Sequence, residues 1–196
     1  MLTMEMGVCE SLELITGPMF SGKSRDLIGR LTDAEVAGSF VRAIKPTIAA
    51  DPTIVTSLVG SSFPARPASS GPEVVASAGR ADVVGIDEVQ FFDASIVEAV
   101  AALCHRGARV IAAGLDLDFR ARPFGSVAEL SMMAGSVARL TAICERCGRT
   151  ATRSQRLLHG RPAGADSPTV LVSKRLYEPR CEQCFLPALE AESLPR

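Results

Sequence analysis

The chain has 196 residues, enough for one domain with a buried core, or a core carrying a small appendage. Hydrophobic residues make up 47%, which excludes disorder as the main state, and a formal net charge of −1 removes long-range attraction as a reason to bind nucleic acid or an anionic membrane. No apolar run approaches a membrane span, and the opening "MLTMEMGVCESLELI" carries three glutamates and no basic segment, so the chain reads as cytoplasmic with no secretion signal.

In chain order, "SLELIT" reads as a first strand. After a glycine-rich loop, "SRDLIGRLTDAEVAG" sets Leu27, Ile28, Leu31 and Ala34 at helical spacing, with Gly38 as its stop. "FVRAIK" is a second strand. From Pro46 to about Pro72 the composition turns to Pro, Ser, Thr and Gly, which predicts a long loop with one strand at "TIVTSLV". "ADVVGIDE" is a buried strand ending in two carboxylates. "DASIVEAVAALCHRG" is a helix capped by Ser95 or Asp93 and stopped by Gly107. "ARVIAAGLD" is a buried strand, "PFGSVAELSMMAGS" a helix and "VARLTAI" a final core strand. Strand–helix alternation of this kind predicts an α/β fold, a P-loop NTPase-like parallel sheet flanked by helices. The cysteine-bearing remainder predicts a small zinc-bearing lobe with a frayed tail. The expected division is residues 1–140 for nucleotide binding and residues 141–196 for the zinc lobe.

Three constellations carry chemistry. Gly17-Pro18-Met19-Phe20-Ser21-Gly22-Lys23-Ser24 matches G-x-x-x-x-G-K-[ST] after a strand and before a helix. Such glycines let backbone N–H groups turn around phosphate oxygens, and the helix start adds its positive end. Lys23 is then expected at the β- and γ-phosphates of ATP, and Ser24 on Mg²⁺. Asp87 and Glu88 end a buried strand, where the ligand crevice of a parallel sheet lies. Asp87 suits the second Mg²⁺ position. Glu88 suits a catalytic carboxylate that takes a proton from an accepting hydroxyl, although a solvated strand-end charge or a water-orienting role would give the same residue.

Cys144, Cys147, Cys181 and Cys184 form two CxxC pairs, the pattern of a closed structural Cys₄ zinc site, with a redox dithiol as the competing reading. Six cysteines in a reducing compartment argue against a disulfide framework. Cys9 and Cys104 lack such spacing and read as unpaired, Cys104 as a small core residue. His105 beside it reads as a capping or solvent-facing residue.

The glycine loop, "IDEVQFF", "AAGLDLDFRARPFG" and the two cysteine knuckles occur in that order from about Leu14 to Cys184. Together they resemble the zinc-containing, cytosolic type II thymidine kinases. The resemblance implies a homotetrameric enzyme of deoxynucleoside salvage for DNA synthesis. It would move the γ-phosphoryl of ATP to the 5′-hydroxyl of thymidine, under a lasso-like loop anchored by zinc. It implies that Glu88 is the catalytic base and that Met19, Phe91, Leu115, Phe119 and Phe124 line the thymine pocket. Ser154 falls near the thymine methyl, where threonine is common, and Tyr177 matches the lasso tyrosine.

Three departures accompany the resemblance. The family's D-x-R arginine is absent from Asp51-Pro52-Thr53; a serine usually followed by histidine or arginine is here Ser57-Leu58; the lasso "VLVSKRLYEPRC" lacks a glycine pair. A cation near transferring phosphate raises rates by orders of magnitude. The missing charge would have to come from Arg42, Arg66 or another arginine. A degenerate nucleotide-binding relative with weak or altered transfer is therefore the alternative function. A nucleic-acid-dependent ATPase is disfavoured by the near-neutral charge and by a zinc region without a basic aromatic stripe.

Overall fold

The computed structural model describes residues 8–170 and 176–188. The readings made for the N-terminal heptad, for much of the glycine-poor lasso stretch and for nearly all of the tail fall outside these residues.

The first strand, β1 (Cys9–Thr16), runs through the glycine loop into α1 (Lys23–Val36), which buries Leu27, Ile28, Leu31 and Ala34. Then come β2 (Val41–Pro46), β3 (Ile54–Thr56), β4 (Ser62–Ala68), α2 (Gly71–Ala78) and β5 (Val83–Ile86). After β5 follow α3 (Ser95–His105), β6 (Arg109–Gly114), α4 (Val127–Met133) and β7 (Ala134–Arg139). These strands form one sheet in the order β3-β4-β2-β5-β6-β1-β7, parallel throughout except for the β3–β4 pair. Alternation along each strand splits the core. Leu12, Leu14, Val84 and Ile86 pack with α2, α3 and α4 on one face, while Ile15, Val83 and Ile111 pack with α1 on the other.

Beyond the large sheet lie a two-stranded ribbon, β8 (Ala142–Ile143) with β9 (Thr150–Ala151), and a three-stranded antiparallel sheet. The latter comprises β10 (Arg153–Leu158), β11 (Arg161–Pro162) and β12 (Tyr177–Arg180), with β10 in the middle.

The structure corrects three expectations. The long loop expected from Pro46 to about Pro72 contains the expected strand, β3, but also β4, and it runs directly into α2, which was not expected. Pro64 and Pro67 concealed β4, because proline cannot donate to a ladder. The strand tolerates them because β3 pairs only with Ser62–Pro64 and β2 only with Ala65–Ala68, so each half of β4 has an open side. The last strand of the large sheet starts earlier than expected and is a half-exposed edge strand, with residues 142–143 going to the small ribbon. Cys9 and Cys104, read as unpaired, are joined in a disulfide across 95 residues. Packing of α3 against β1 brings the first residue of the strand to the last turn of the helix, a proximity that spacing along the chain does not reveal.

Asp93 Oδ1 accepts the Ser95 N–H (2.9 Å) at the start of α3, while Ser95 Oγ accepts the Gly71 N–H (2.8 Å) and docks α2 on α3. A Cβ at Gly71 would lie 2.2 Å from the Ser95 carbonyl oxygen. We therefore expect Gly71→Ala to push the two helices apart at a cost of about 1–3 kcal/mol, lowering the thermal midpoint by roughly 2–12 °C. An unchanged melting curve would contradict this close packing.

Candidate functional site

In a parallel sheet all carboxyl ends share one edge, and the loops that leave it enclose a crevice. Here the loops after β1, β2, β5 and β6 meet β10, β12 and the segment before the lasso around a cleft of about 570 Å³. That is within the range of small-molecule sites.

One wall is the glycine loop. Gly17 has φ +141° and Gly22, at the start of α1, has φ +91°, values open to glycine. Lys23 Nζ donates to the Gly17 and Pro18 carbonyls (2.9 and 2.7 Å), so its charge is held against the loop. Thr16 Oγ1 and Ser21 Oγ are buried without a hydrogen-bond partner among the described residues. Unpaired buried hydroxyls beside a helix start fit a site that completes its hydrogen bonds on phosphate oxygens. Met19 N–H donates to Ser154 Oγ (2.9 Å), which ties this loop to β10.

The floor is the end of β5. Ser24 Oγ donates to the Asp87 carboxylate at 3.2 and 3.4 Å, so the two oxygen donors expected for magnesium are adjacent. Burial, reinforced by the charge of Glu88, pushes the Asp87 carboxyl up to about 7; Lys45 and Ser24 oppose that shift. A buried carboxylate so reluctant to ionise alone fits a place where a cation sits. Glu88 follows in the left-handed region, φ +53°, and its carboxylate accepts a hydrogen bond from Gln90 Nε2 at 2.6 Å.

The opposite wall is apolar. Phe91 and Phe124 meet edge to face with centroids 5.5 Å apart, and Met19, Leu115 and Phe119 also line the cleft. Ser154 and Tyr177 line it too, so every described residue that the resemblance assigns to nucleoside binding reaches one cavity. Arg120 and Arg156 lie over the Phe119 ring at 4.2 and 3.8 Å.

The cation question resolves differently from the expectation. Arg42 stacks on Phe40 and bonds Val41 O at the far end of β2, and Arg66 bonds Ser77 O on the surface. Neither lines the cleft. Thr53 is turned onto Asp51, whose Oδ1 accepts its N–H and its hydroxyl. The cations that line the cleft among the described residues are Lys23, Arg25, Lys45 and Arg156. Lys45 is buried and donates to Asp51 O and Ile54 O at 3.0 Å each.

Arg156 is fully buried. It donates through Nε to Tyr177 Oη (2.8 Å) and through its terminal nitrogens to Pro168 O and Thr169 O. Sequence reasoning missed Lys45, Arg156 and Gln90. Long polar side chains beside turns look solvated until the fold buries them. The one available signal for Gln90 was its place two residues after Glu88.

The four cysteines of the paired motifs also meet: their sulfurs all lie within 4.8 Å of one another. A tetrahedral ion with Zn–S bonds of about 2.3 Å puts sulfurs roughly 3.8 Å apart, and Cys147 Sγ is 3.6 Å from Cys181 Sγ. Hydrogen bonds from the Arg149 backbone and guanidinium push the Cys147 thiol down to about 6, while the neighbouring Cys147 sulfur pushes Cys184 up to about 12. Four sulfurs gathered this closely fit a donor set for one cation. No helix among the described residues is long and apolar enough to cross a membrane.

A family model described as thymidine kinase matches residues 10–185. A thymidine kinase of Deinococcus deserti is 48% identical over 184 residues, covering 87% of this chain and 91% of its relative. A thymidine kinase of Coprothermobacter proteolyticus is 47% identical over 173 residues, covering 87% of each. The match runs from the strand before the glycine loop to just past the last cysteine of the cluster, and on that footing the chain belongs to the thymidine kinase family.

Proposed function

We propose that this protein is a thymidine kinase, transferring the γ-phosphoryl of ATP to the 5′-hydroxyl of thymidine. The observation that carries the reading is the convergence, in one cleft, of the glycine loop, the Asp87–Glu88 pair and an apolar pocket rimmed by Ser154 and Tyr177. ATP lies along residues 17–24, its phosphates bound by loop N–H groups and by Lys23. Ser24 and Asp87 would hold magnesium, which would supply charge neutralisation of the ATP phosphates. The thymine ring sits among Met19, Phe91, Leu115, Phe119 and Phe124, its sugar directed toward Glu88.

Glu88 accepts the 5′-hydroxyl proton as the new O–P bond forms. The bond from the γ-phosphorus to the bridging oxygen breaks and ADP leaves. Cys144, Cys147, Cys181 and Cys184 would hold zinc in a structural role, because four thiolates would leave it no open position. We place the division of labour at about residue 140, with a homotetrameric cytosolic enzyme as the working form.

The direct test is transfer from labelled ATP to a panel of nucleosides. Thymidine monophosphate as the main product supports the reading, and slow ATP loss without nucleotide product sinks it in favour of a degenerate nucleotide binder. Glu88→Gln keeps size and hydrogen bonding but removes the proton acceptor. We expect kcat to fall about 10²–10⁴-fold while thymidine affinity changes far less. A kcat within about threefold of the starting protein would contradict the general-base role.

Freshly purified protein should carry one zinc per chain. Its removal should lower the thermal midpoint and release the lasso, since structural zinc couples to folding. Metal analysis below half an equivalent in chelator-free protein would argue against the zinc assignment.

A further inference from the structure

Gln90 is a buried polar side chain, 2% exposed, that uses both ends of its amide. Nε2 donates to Glu88 Oε2 at 2.6 Å, and Oε1 accepts the Leu115 N–H at 3.0 Å. The partners fix the amide's orientation, because a carboxylate can only accept and a backbone N–H can only donate. The surroundings are shaped to it. A Cβ on Gly114 would stand 2.7 Å from Gln90 Oε1, and one on Gly125 would stand 2.4 Å from the Gln90 carbonyl oxygen. Gly125 also has φ +55°. Glu88 sits in the left-handed region, φ +53°, and its carbonyl accepts the Phe91 N–H at 3.1 Å. An apolar side chain here would leave the Leu115 N–H without its acceptor, so Oε1 has a structural role; Nε2 spends its hydrogen bond on Glu88, which packing alone does not require.

We propose that Gln90 is a positioning residue for phosphoryl transfer. It holds the Glu88 carboxylate in the cleft and couples it to the backbone of Leu115, which walls the apolar pocket. A nucleoside seated against Leu115 then finds its proton acceptor at a fixed distance, because one rigid amide spans both. The effect is one of geometry, and misplacement by about 1 Å can cost two orders of magnitude in rate. The proposal rests on the reading of Glu88 as the proton acceptor.

Two variants separate the amide's two bonds. Gln90→Met removes both. Gln90→Glu keeps an acceptor for the Leu115 N–H but replaces the amide donor with a carboxyl that shares a proton with Glu88, which competes with the 5′-hydroxyl for the same base. For each, we expect kcat with thymidine to fall about 10–100-fold, with ATP affinity by direct titration within about threefold. The deciding measurement repeats Gln90→Met in a Glu88→Gln background. Positioning predicts a further loss of less than about threefold there, because no proton acceptor remains to be positioned.

Equal fold-losses in both backgrounds would assign Gln90 a packing role and overturn the proposal, as would an unchanged kcat in Gln90→Glu. A Glu88→Gln protein with undiminished kcat would overturn the reading of Glu88 itself, and the proposal with it, so the two failures are told apart. Should Gln90→Met not fold, the same cycle run with Gln90→Glu decides the matter, since that side chain still satisfies Leu115.

Discussion

The hydrogen bond from Met19 N–H to Ser154 Oγ, at 2.9 Å, joins the two halves of the cleft, and much of the site hangs on it. The large sheet and the small one share no strand. Their connection is a closed circuit of short links. Leu140, just past β7, donates its N–H to Thr16 O at 2.8 Å, and its carbonyl presses so closely on Gly17 that a Cβ there would lie 2.2 Å away. The chain then enters the cysteine cluster, which closes on Cys181 at the end of β12. Ser154 pairs with Pro179 in the β10–β12 ladder, two residues before that cysteine, and returns to the loop through its hydroxyl. An ion in the cluster would thus order both strands that hold Ser154. An ion there would bear on the glycine loop through Ser154 without touching that loop.

Electrostatics at the sheet edge obey the same economy. Asp87 and Glu88 are adjacent acids, one of them buried, and their repulsion is part of what raises the Asp87 carboxyl. A cation relieves that repulsion more effectively here than in water, because the local dielectric is low. Lys45 supplies part of the relief permanently while also holding the 51–54 turn through two carbonyls. Its charge is fixed by the fold, so it needs no rearrangement during reaction, the property that makes preorganised groups effective.

Where the sequence was legible, the reason was periodicity or fixed spacing. Spacing around Glu13 in "SLELIT" and 3.6-residue spacing in α1 report burial that each element needs on its own; the fold buries Leu12, Leu14 and the four α1 residues, and Ile15 and Thr16 as well. The cysteine pairs and the glycine loop were legible because metal and phosphate geometry demand short spacings. What stayed hidden depends on contacts between distant residues. Prolines disguised β4, whose two halves lean on different partners. The Cys9–Cys104 bond requires α3 to pack on β1. Gln90, Lys45 and Arg156 are polar side chains buried only because other elements close over them. Aromatic residues such as Phe91 and Phe124 were placed by resemblance, since core and pocket look alike in one dimension.

Arg156 shows how the described cleft is furnished where the familiar arginine after Asp51 is absent. A fully buried guanidinium is costly unless its donors are satisfied. Among the described residues its hydrogen bonds go to two carbonyls and the Tyr177 hydroxyl, with no carboxylate among them. The aromatic faces of Phe119 and Tyr177, 3.8 and 5.0 Å away, complete its surroundings. Dipoles and π-faces solvate the charge without cancelling it, whereas an ion pair would neutralise it. The guanidinium thus stands on the apolar side of the cleft, across from Asp87 and Glu88, with Asp118 the carboxylate that lines the same side. The same guanidinium ties β10 to residues 168–169, the chain leading into the lasso, and to Tyr177 beyond it. The strand β10, residues 168–169 and Tyr177 thus meet on one side chain, and a change that loosened it would disturb all three.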